Sequence, residues 1–270
     1  MLNDDFYKKL NPYWIQVCTG GGKLQLNKSI LRLGFESAQK GQYTDAQIDD
    51  YTMLSRSAYP WKPPLRMTVR ARFSLPAVNK NNLNANKNIL RGTAGFGFWN
   101  NPFSLKGDVH ALPEAIWFFY SAPPSNMVLV PDVPGWGWKA QSLHNMRLGV
   151  LSHVLPLSIT SVYARLTGNL RPASYWLQRF AGANEALMNN DLTRWHIYKL
   201  EWHPHESIFW VDNTLILRAR QAPTRPLGFV AWVDNQYAIT TPQGKFRFGT
   251  IDSGAQWLDI DYIKIKSLKK

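Results

Sequence analysis

The sequence predicts an all-β sandwich carrying a partly helical insertion, and three observations lead there. Between Trp195 and Arg220 apolar and polar residues alternate with the two-residue period of half-buried strands: Tyr198, Leu200 and Trp202 on one side, Lys199 and Glu201 on the other. Aromatic residues are abundant, with 12 Trp, 11 Tyr and 13 Phe, and such side chains suit pleated surfaces. At 270 residues the chain can bury one large core, and all-β sandwiches of this size often form single domains. Residues 1–270 are therefore read as one domain.

In chain order, Tyr13 to Phe35 supplies the first strands, with Gly20-Gly21-Gly22 as a loop. No Lys-Ser/Thr pair follows that triplet at phosphate-loop spacing, so it does not indicate a nucleotide site. Tyr43 to Tyr51 and Arg66 to Leu75 read as further strands. The prolines of Tyr59-Pro-Trp-Lys-Pro-Pro64 force an extended, irregular connection between them. Asn79 to Asn88 is rich in Asn and Lys and reads as an exposed loop. Gly92 to Asn100 resumes a strand in which small residues alternate with large ones, as happens where a backbone or ligand approaches closely. After Trp195, Pro204 breaks the run, Ile208 to Val211 resumes it, and Asp212-Asn213 turns the chain into Leu215-Ile216-Leu217.

The formal charge of +13 points to an acidic partner. In Arg66 to Phe73, Arg66, Thr68, Arg70 and Arg72 share one strand face and Met67, Val69, Ala71 and Phe73 the other. That pattern fits a solvated outer sheet face, and no recognised nucleic-acid motif accompanies it. Cys18 stands alone, which excludes an intrachain disulfide, and it reads as a buried structural residue. The N-terminal residues lack the apolar core of a secretory signal, which predicts a cytoplasmic protein. No uninterrupted apolar run is long enough to span a bilayer.

Several segments together resemble one family. Trp195-His-Ile-Tyr-Lys-Leu-Glu-Trp202 with the Trp210-Val-Asp-Asn213 hairpin, Arg70-Ala-Arg-Phe-Ser-Leu-Pro76 followed by Gly95-Phe-Gly-Phe-Trp99, and the closing Trp257-Leu-Asp-Ile-Asp-Tyr-Ile-Lys-Ile265 are similar to strands of glycoside hydrolase family 16. The resemblance implies a concanavalin A-like jelly roll with a substrate cleft. It also implies a Glu-x-Asp-x-x-Glu strand supplying nucleophile and acid/base, since retaining glycosidases need two carboxylates about 5–5.5 Å apart.

The corresponding strand here is Pro113 to Ser121. In one register Glu114 takes the nucleophile position, Ile116 replaces the Asp and Phe119 the acid/base; shifted by one, Ala115, Trp117 and Tyr120 face the cleft. Neither register supplies a carboxylate pair, and loss of general acid catalysis costs about 10²–10⁴ in rate. The implied cleft is aromatic instead, lined by Trp99, Trp117, Phe119, Tyr120 and Trp232, with Trp136 and Trp138 folding over its mouth from a Pro-Gly-Trp-Gly-Trp loop. For Phe96 and Phe98 ordinary core packing is the expectation.

Asp234, Asn235, Gln236 and Tyr237 form a polar patch ending an apolar run; they either cap a strand end or orient a ligand. Asp234 in an apolar cleft would have a raised pKa. Candidate proton-moving groups are thus Asp234, Glu114, Tyr237 and the loop residue His110, which has Asp108 near it in sequence. Asn235 joins the ligand-binding set. His203 and His205 sit at a turn without further ligands, so no metal or other cofactor is expected.

Residues 140–192 exceed what the family pattern requires and read as a helical, lid-like insertion. Within it, Met146 to Leu166 is mostly apolar around Pro156, and Ala173 to Met188 shows a second helical pattern with Tyr175, Trp176, Leu177 and Phe180 on one face. The segment either enlarges the core or forms a lipophilic cover that rests on an anionic membrane surface. These features suggest an enzyme that binds an apolar small molecule and performs proton-transfer chemistry such as cyclisation or isomerisation, aromatic faces stabilising a developing cation. The alternatives are a carbohydrate-binding protein or divergent glycoside hydrolase, and a non-catalytic lipid- or partner-binding protein.

Overall fold

The computed structural model describes residues 1–80, 82, 88–101, 113–130, 132–145, 181–240 and 246–268. Their architecture is a sandwich of two large antiparallel sheets. The first contains β1 (Leu2–Asp4), β3 (Lys23–Asn27), β4 (Ile30–Phe35), β6 (Leu65–Phe73), β12 (His196–Trp202), β13 (Ser207–Val211), β14 (Thr214–Ala219) and β18 (Gln256–Ser267). Its order is β14-β13-β12-β6-β18-β4-β3, with β1 also pairing to β18. The second contains β2 (Ile15–Thr19), β5 (Asp45–Asp49), β7 (Thr93–Trp99), β8 (Ala115–Ser121), β10 (Gly137–Asn145), β11 (Ala181–Leu187) and β15 (Gly228–Asp234), in the order β11-β10-β8-β7-β15-β5-β2. A small sheet joins β9 (Asn126–Met127), β16 (Gln236–Thr240) and β17 (Phe246–Thr250).

The two-residue period decides which side chains meet. On β6, Met67, Val69, Ala71 and Phe73 are buried while Arg66, Thr68, Arg70 and Arg72 turn outward. That outward face is laced with ion pairs: Arg66 to Glu201, Arg70 to Asp261, and Arg32 and Arg72 to Asp259. Arg70 and Arg72 also lie over the Trp195 ring, 4.9 and 4.8 Å from its centroid. Between the sheets, Phe96 and Phe118 pack edge-on against Tyr198, with centroids 5.1 and 5.0 Å away, and Phe98 packs on Trp202. The Asp212-Asn213 turn joins β13 to β14, with Val211 opposite Thr214 and Asp212 at φ 47°.

Four expectations need correction. Strands β10 and β11 occupy residues 137–145 and 181–187, pairing Lys139 with Leu187 through Asn145 with Ala181. Both ends of the 140–192 insertion are therefore sheet, and the helical pattern read into Ala173 to Met188 fails at least from Ala181 onward. Residues 146–180, which carry the rest of that reading, lie outside the described residues. Trp138 is on β10 and fully buried, packed against Phe73, Phe96, Phe118 and Tyr198. Tyr120 is equally buried; its hydroxyl donates to the Leu90 carbonyl and accepts from the Val78 amide. Cys18 is exposed, because β2 is the edge strand of its sheet.

Candidate functional site on the outer face of the seven-stranded sheet

Strand β8 runs without a register shift against β7 and β10. Ile116, Phe118 and Tyr120 join the core, and Trp117 and Phe119 share the opposite face. A regular strand therefore presents neither expected set on one face: Ile116 and Phe119 point to opposite sides, as do Trp117 and Tyr120. Glu114 precedes β8, in phase with Ile116, and is buried; its amide donates to Asn100 Oδ1. Strand β8 itself carries no carboxylate.

Aromatic rings cover the middle of this outer face. Trp117 stacks on Phe119 at 5.2 Å and 23°, and lies 5.7 Å from Trp99 and 5.3 Å from Trp232. Phe119 is 6.0 Å from Trp232. Glycines on β7 make the arrangement possible: a Cβ at Gly97 would come within 2.5 Å of Trp117 Cα, and one at Gly95 would meet the Trp232 ring at 3.0 Å. Phe119 and Trp232 are each 8% exposed, whereas Trp99 and Trp117 are half-buried and present the accessible edge. Trp99 Nε1 donates to the Tyr51 hydroxyl at 2.6 Å, and Tyr51 packs on Tyr59.

Polar groups frame the rings on both sides. On β10 and β11, Trp117 Nε1 donates to Gln141 Oε1, Gln141 Nε2 donates to Glu185, and Lys139 Nζ lies 3.3 Å from Glu185 Oε2. Burial lowers the Lys139 pKa and raises that of Glu185, each opposed by the other's charge. On β5, Asp49 accepts hydrogen bonds from Gln47, Thr52 and the Tyr51 amide.

At one end of the face, Asp234 pairs in register with Asp45 on one neighbouring strand and Thr93 on the other. Asp234 Oδ1 accepts from the Thr93 amide and hydroxyl and the Gln236 amide, at 2.8–3.1 Å. Burial nonetheless pushes its pKa up to about 6. Burial and the neighbouring Asp234 charge push Asp45 up as well, and Tyr43 lies against it. Asp45 Oδ1 is buried without a hydrogen-bond partner among the described residues. Two like charges in one buried place cannot both ionise readily, so burial and proximity together oppose full ionisation of the pair.

The remaining candidates separate. Asn235 is fully buried and staples loops: its Oδ1 accepts from the Thr44 amide, and its Nδ2 donates to the carbonyls of Gln39, Gln42 and Ile251. It caps a strand junction and does not reach the aromatic face. Tyr237 lies on β16 and lines a different hollow. Trp136 is half-buried against the main core. His110 and Asp108 lie outside the described residues. Among the described residues no group of His, Cys, Asp and Glu has the arrangement of a metal site, and no helix is long and apolar enough to cross a membrane.

Sequence reasoning missed Asp45, Gln47 and Asp49, and with them Lys139, Gln141 and Glu185. The signal was present as alternation: Asp45-Ala-Gln47-Ile-Asp49 places polar side chains at every second position of a strand whose other face, Ala46 and Ile48, is core. Alternation alone does not separate a solvated face from a lined cleft.

No family model and no curated protein matches this chain. Solved structures do. A GlcNAcα1-4Gal-releasing endo-β-galactosidase from Clostridium perfringens aligns over 98% of this chain and 62% of its own, with TM-score 0.53 and 13% identity. An immunostimulatory antigen and pseudo β-1,3-glucanase of Mycobacterium tuberculosis aligns over 100% and 99%, with TM-score 0.51 and 12% identity. The Bacillus licheniformis β-glucanase aligns over 99% and 98%, with TM-score 0.51 and 11% identity. The chain thus spans less than two thirds of the clostridial protein's length. At these identities the likeness establishes the fold: this chain has the concanavalin A-like sandwich of the glucanases.

Proposed function

We propose that this chain binds a β-linked glucan or galactan on the outer face of the seven-stranded sheet and does not hydrolyse it at an enzyme's rate. One observation carries the reading. The centre of that face is occupied by stacked Trp117 and Phe119, where two-carboxylate hydrolysis would need a nucleophile and an acid about 5–5.5 Å apart. Aromatic faces suit the apolar C–H faces of pyranose rings, and half-buried Gln47 offers a partner for sugar hydroxyls, while buried Gln141, Glu185 and Lys139 fix the Trp117 indole from behind. The glucanases and galactosidase with this fold, one of them described as a pseudo-glucanase, support the ligand class. The test is titration of soluble β-glucans and β-galactans with the protein, paired with product analysis on the same samples. Binding lost in Trp117→Ala, with no new reducing ends, supports the reading; turnover of a glycan at ordinary enzymatic rates overturns it.

A second reading rests on the Asp45–Asp234 pair. Two buried carboxyls opposite one another beside Trp232, both with raised pKa, suit this end of the face to proton-transfer chemistry on an apolar ligand, such as cyclisation or isomerisation, with the aromatic wall facing the developing cation. Conversion of a candidate substrate that survives in both Asp45→Asn and Asp234→Asn would discard it.

A further inference from the structure

Beyond the aromatic face, β16, β17 and the loops carrying Lys40, Arg91 and Pro124 line an open pocket of about 300 Å³, at the lower end of ligand-pocket sizes. Lys40, Arg91 and Arg247 line it together with Tyr237, Thr250 and Asp252. Three cations around one hollow repel one another. Among the described residues none of the three makes an ion pair, although the arginines and aspartates of the eight-stranded sheet pair freely. The single acid in the pocket, Asp252, spends Oδ1 on the Lys40 backbone amide.

Each cation is also carried by fixed backbone. Arg91 is held on both sides by buried Gln256, which accepts from the Arg91 amide and donates to its carbonyl, both at 2.8 Å. Lys40 sits on a loop clamped to β17 and its exit by the bonds to Asp252 and from the Gly41 amide to Thr250 Oγ1. Arg247 lies within β17, opposite Ile239. The Tyr237 ring lies across Gly249, where a Cβ would approach it to 3.0 Å.

The pocket adjoins the end of the candidate cleft. Arg91 stands two residues before Thr93, and Tyr237 three residues after Asp234, the two residues that pair in the last row of the outer face. We propose that this pocket binds an anionic group, a sulfate ester or a carboxylate, carried by a glycan lying along the outer face of the seven-stranded sheet. The inference rests on the glycan-binding reading and deepens it: the ligand is an acidic polysaccharide, which gives the +13 formal charge a partner. A concave pocket at the end of a cleft suits a substituent on a chain better than the flat surface of a bilayer or a duplex.

The experiment compares β-linked polysaccharides that differ only in charge: sulfated laminarin against laminarin, and a carboxymethyl β-glucan against its methyl ester. Affinity is measured for the wild-type protein, for Lys40→Gln/Arg91→Gln/Arg247→Gln, and for a charge-matched control, Lys23→Gln/Lys199→Gln/Lys264→Gln, on the other sheet. The expected result is tighter binding of at least one charged member, weakened roughly tenfold or more in the pocket variant and within about twofold in the control. Equal loss in both triple variants, or none in the pocket variant, overturns the proposal, as does a preference of the same pocket for anionic liposomes or duplex DNA over both charged polysaccharides. Failure of the parent reading looks different: charged chains still bind through the pocket, but Trp117→Ala changes nothing.

Discussion

Asp234 and Asp45 stand opposite one another on adjacent strands β15 and β5, both buried and both turned to the outer face beside Trp232. Neither has a cationic partner among the described ion pairs. The folded protein therefore favours their protonated forms, and folding is linked to pH through them.

The sign follows from the raised values. Asp234 titrates at about 6 and Asp50 at about 7 in the folded chain, both chiefly through burial, against an ordinary value of 3.8. A raised folded pKa gives stability that is complete below the unfolded value and lost as pH rises through the folded one. Stability from these groups should fall from about pH 4 to pH 7. Asp234→Asn keeps an oxygen for Thr93 and Gln236 and removes the charge, so it should raise stability at pH 8 by roughly 1–3 kcal/mol and flatten the slope. Urea unfolding of both proteins between pH 4 and 8 checks this; a variant less stable at pH 8 would contradict it.

Trp117 and Trp138 separate binding from packing. Trp117→Ala removes a half-exposed ring and should weaken glycan binding about tenfold or more while the protein stays folded. Trp138→Ala empties a fully buried site and should cost about 3–5 kcal/mol. Thermal unfolding and affinity electrophoresis on both variants test the pair.

Much of the fold was legible because period-two alternation is a direct image of a half-buried strand. The runs ending in Trp202, Phe73 and Ile265 read correctly for that reason. Trp138 and Tyr120 misled because an indole or phenol in sequence does not declare its face, and one residue of register exchanges cleft for core. The cross-strand partners Asp45 and Asp234 are 189 positions apart, so no local pattern joins them. Asn235 read as a ligand group because a buried amide that staples three loops and a ligand-orienting amide have the same sequence signature.

Asn235→Ala should leave the Thr44 amide and three carbonyls without their partner. Roughly 2–4 kcal/mol of destabilisation is expected, with glycan affinity unchanged in the protein that remains folded. Chemical denaturation followed by binding at low temperature measures both.

Lys139 and Glu185 form a buried ion pair behind Gln141 and Trp117. Lys139→Met strands the Glu185 charge and should cost roughly 3 kcal/mol at pH 8, less at pH 5 where the carboxyl takes up a proton. Equal losses at the two pH values would contradict this.

The central claim is tested most directly by incubating the wild-type protein with a soluble β-glucan or β-galactan that it retains on a gel, then measuring reducing ends. Retention that disappears in Trp117→Ala, with no chain cleavage by the wild type, is the expected result. Rapid cleavage, or retention indifferent to the loss of that ring, would contradict it.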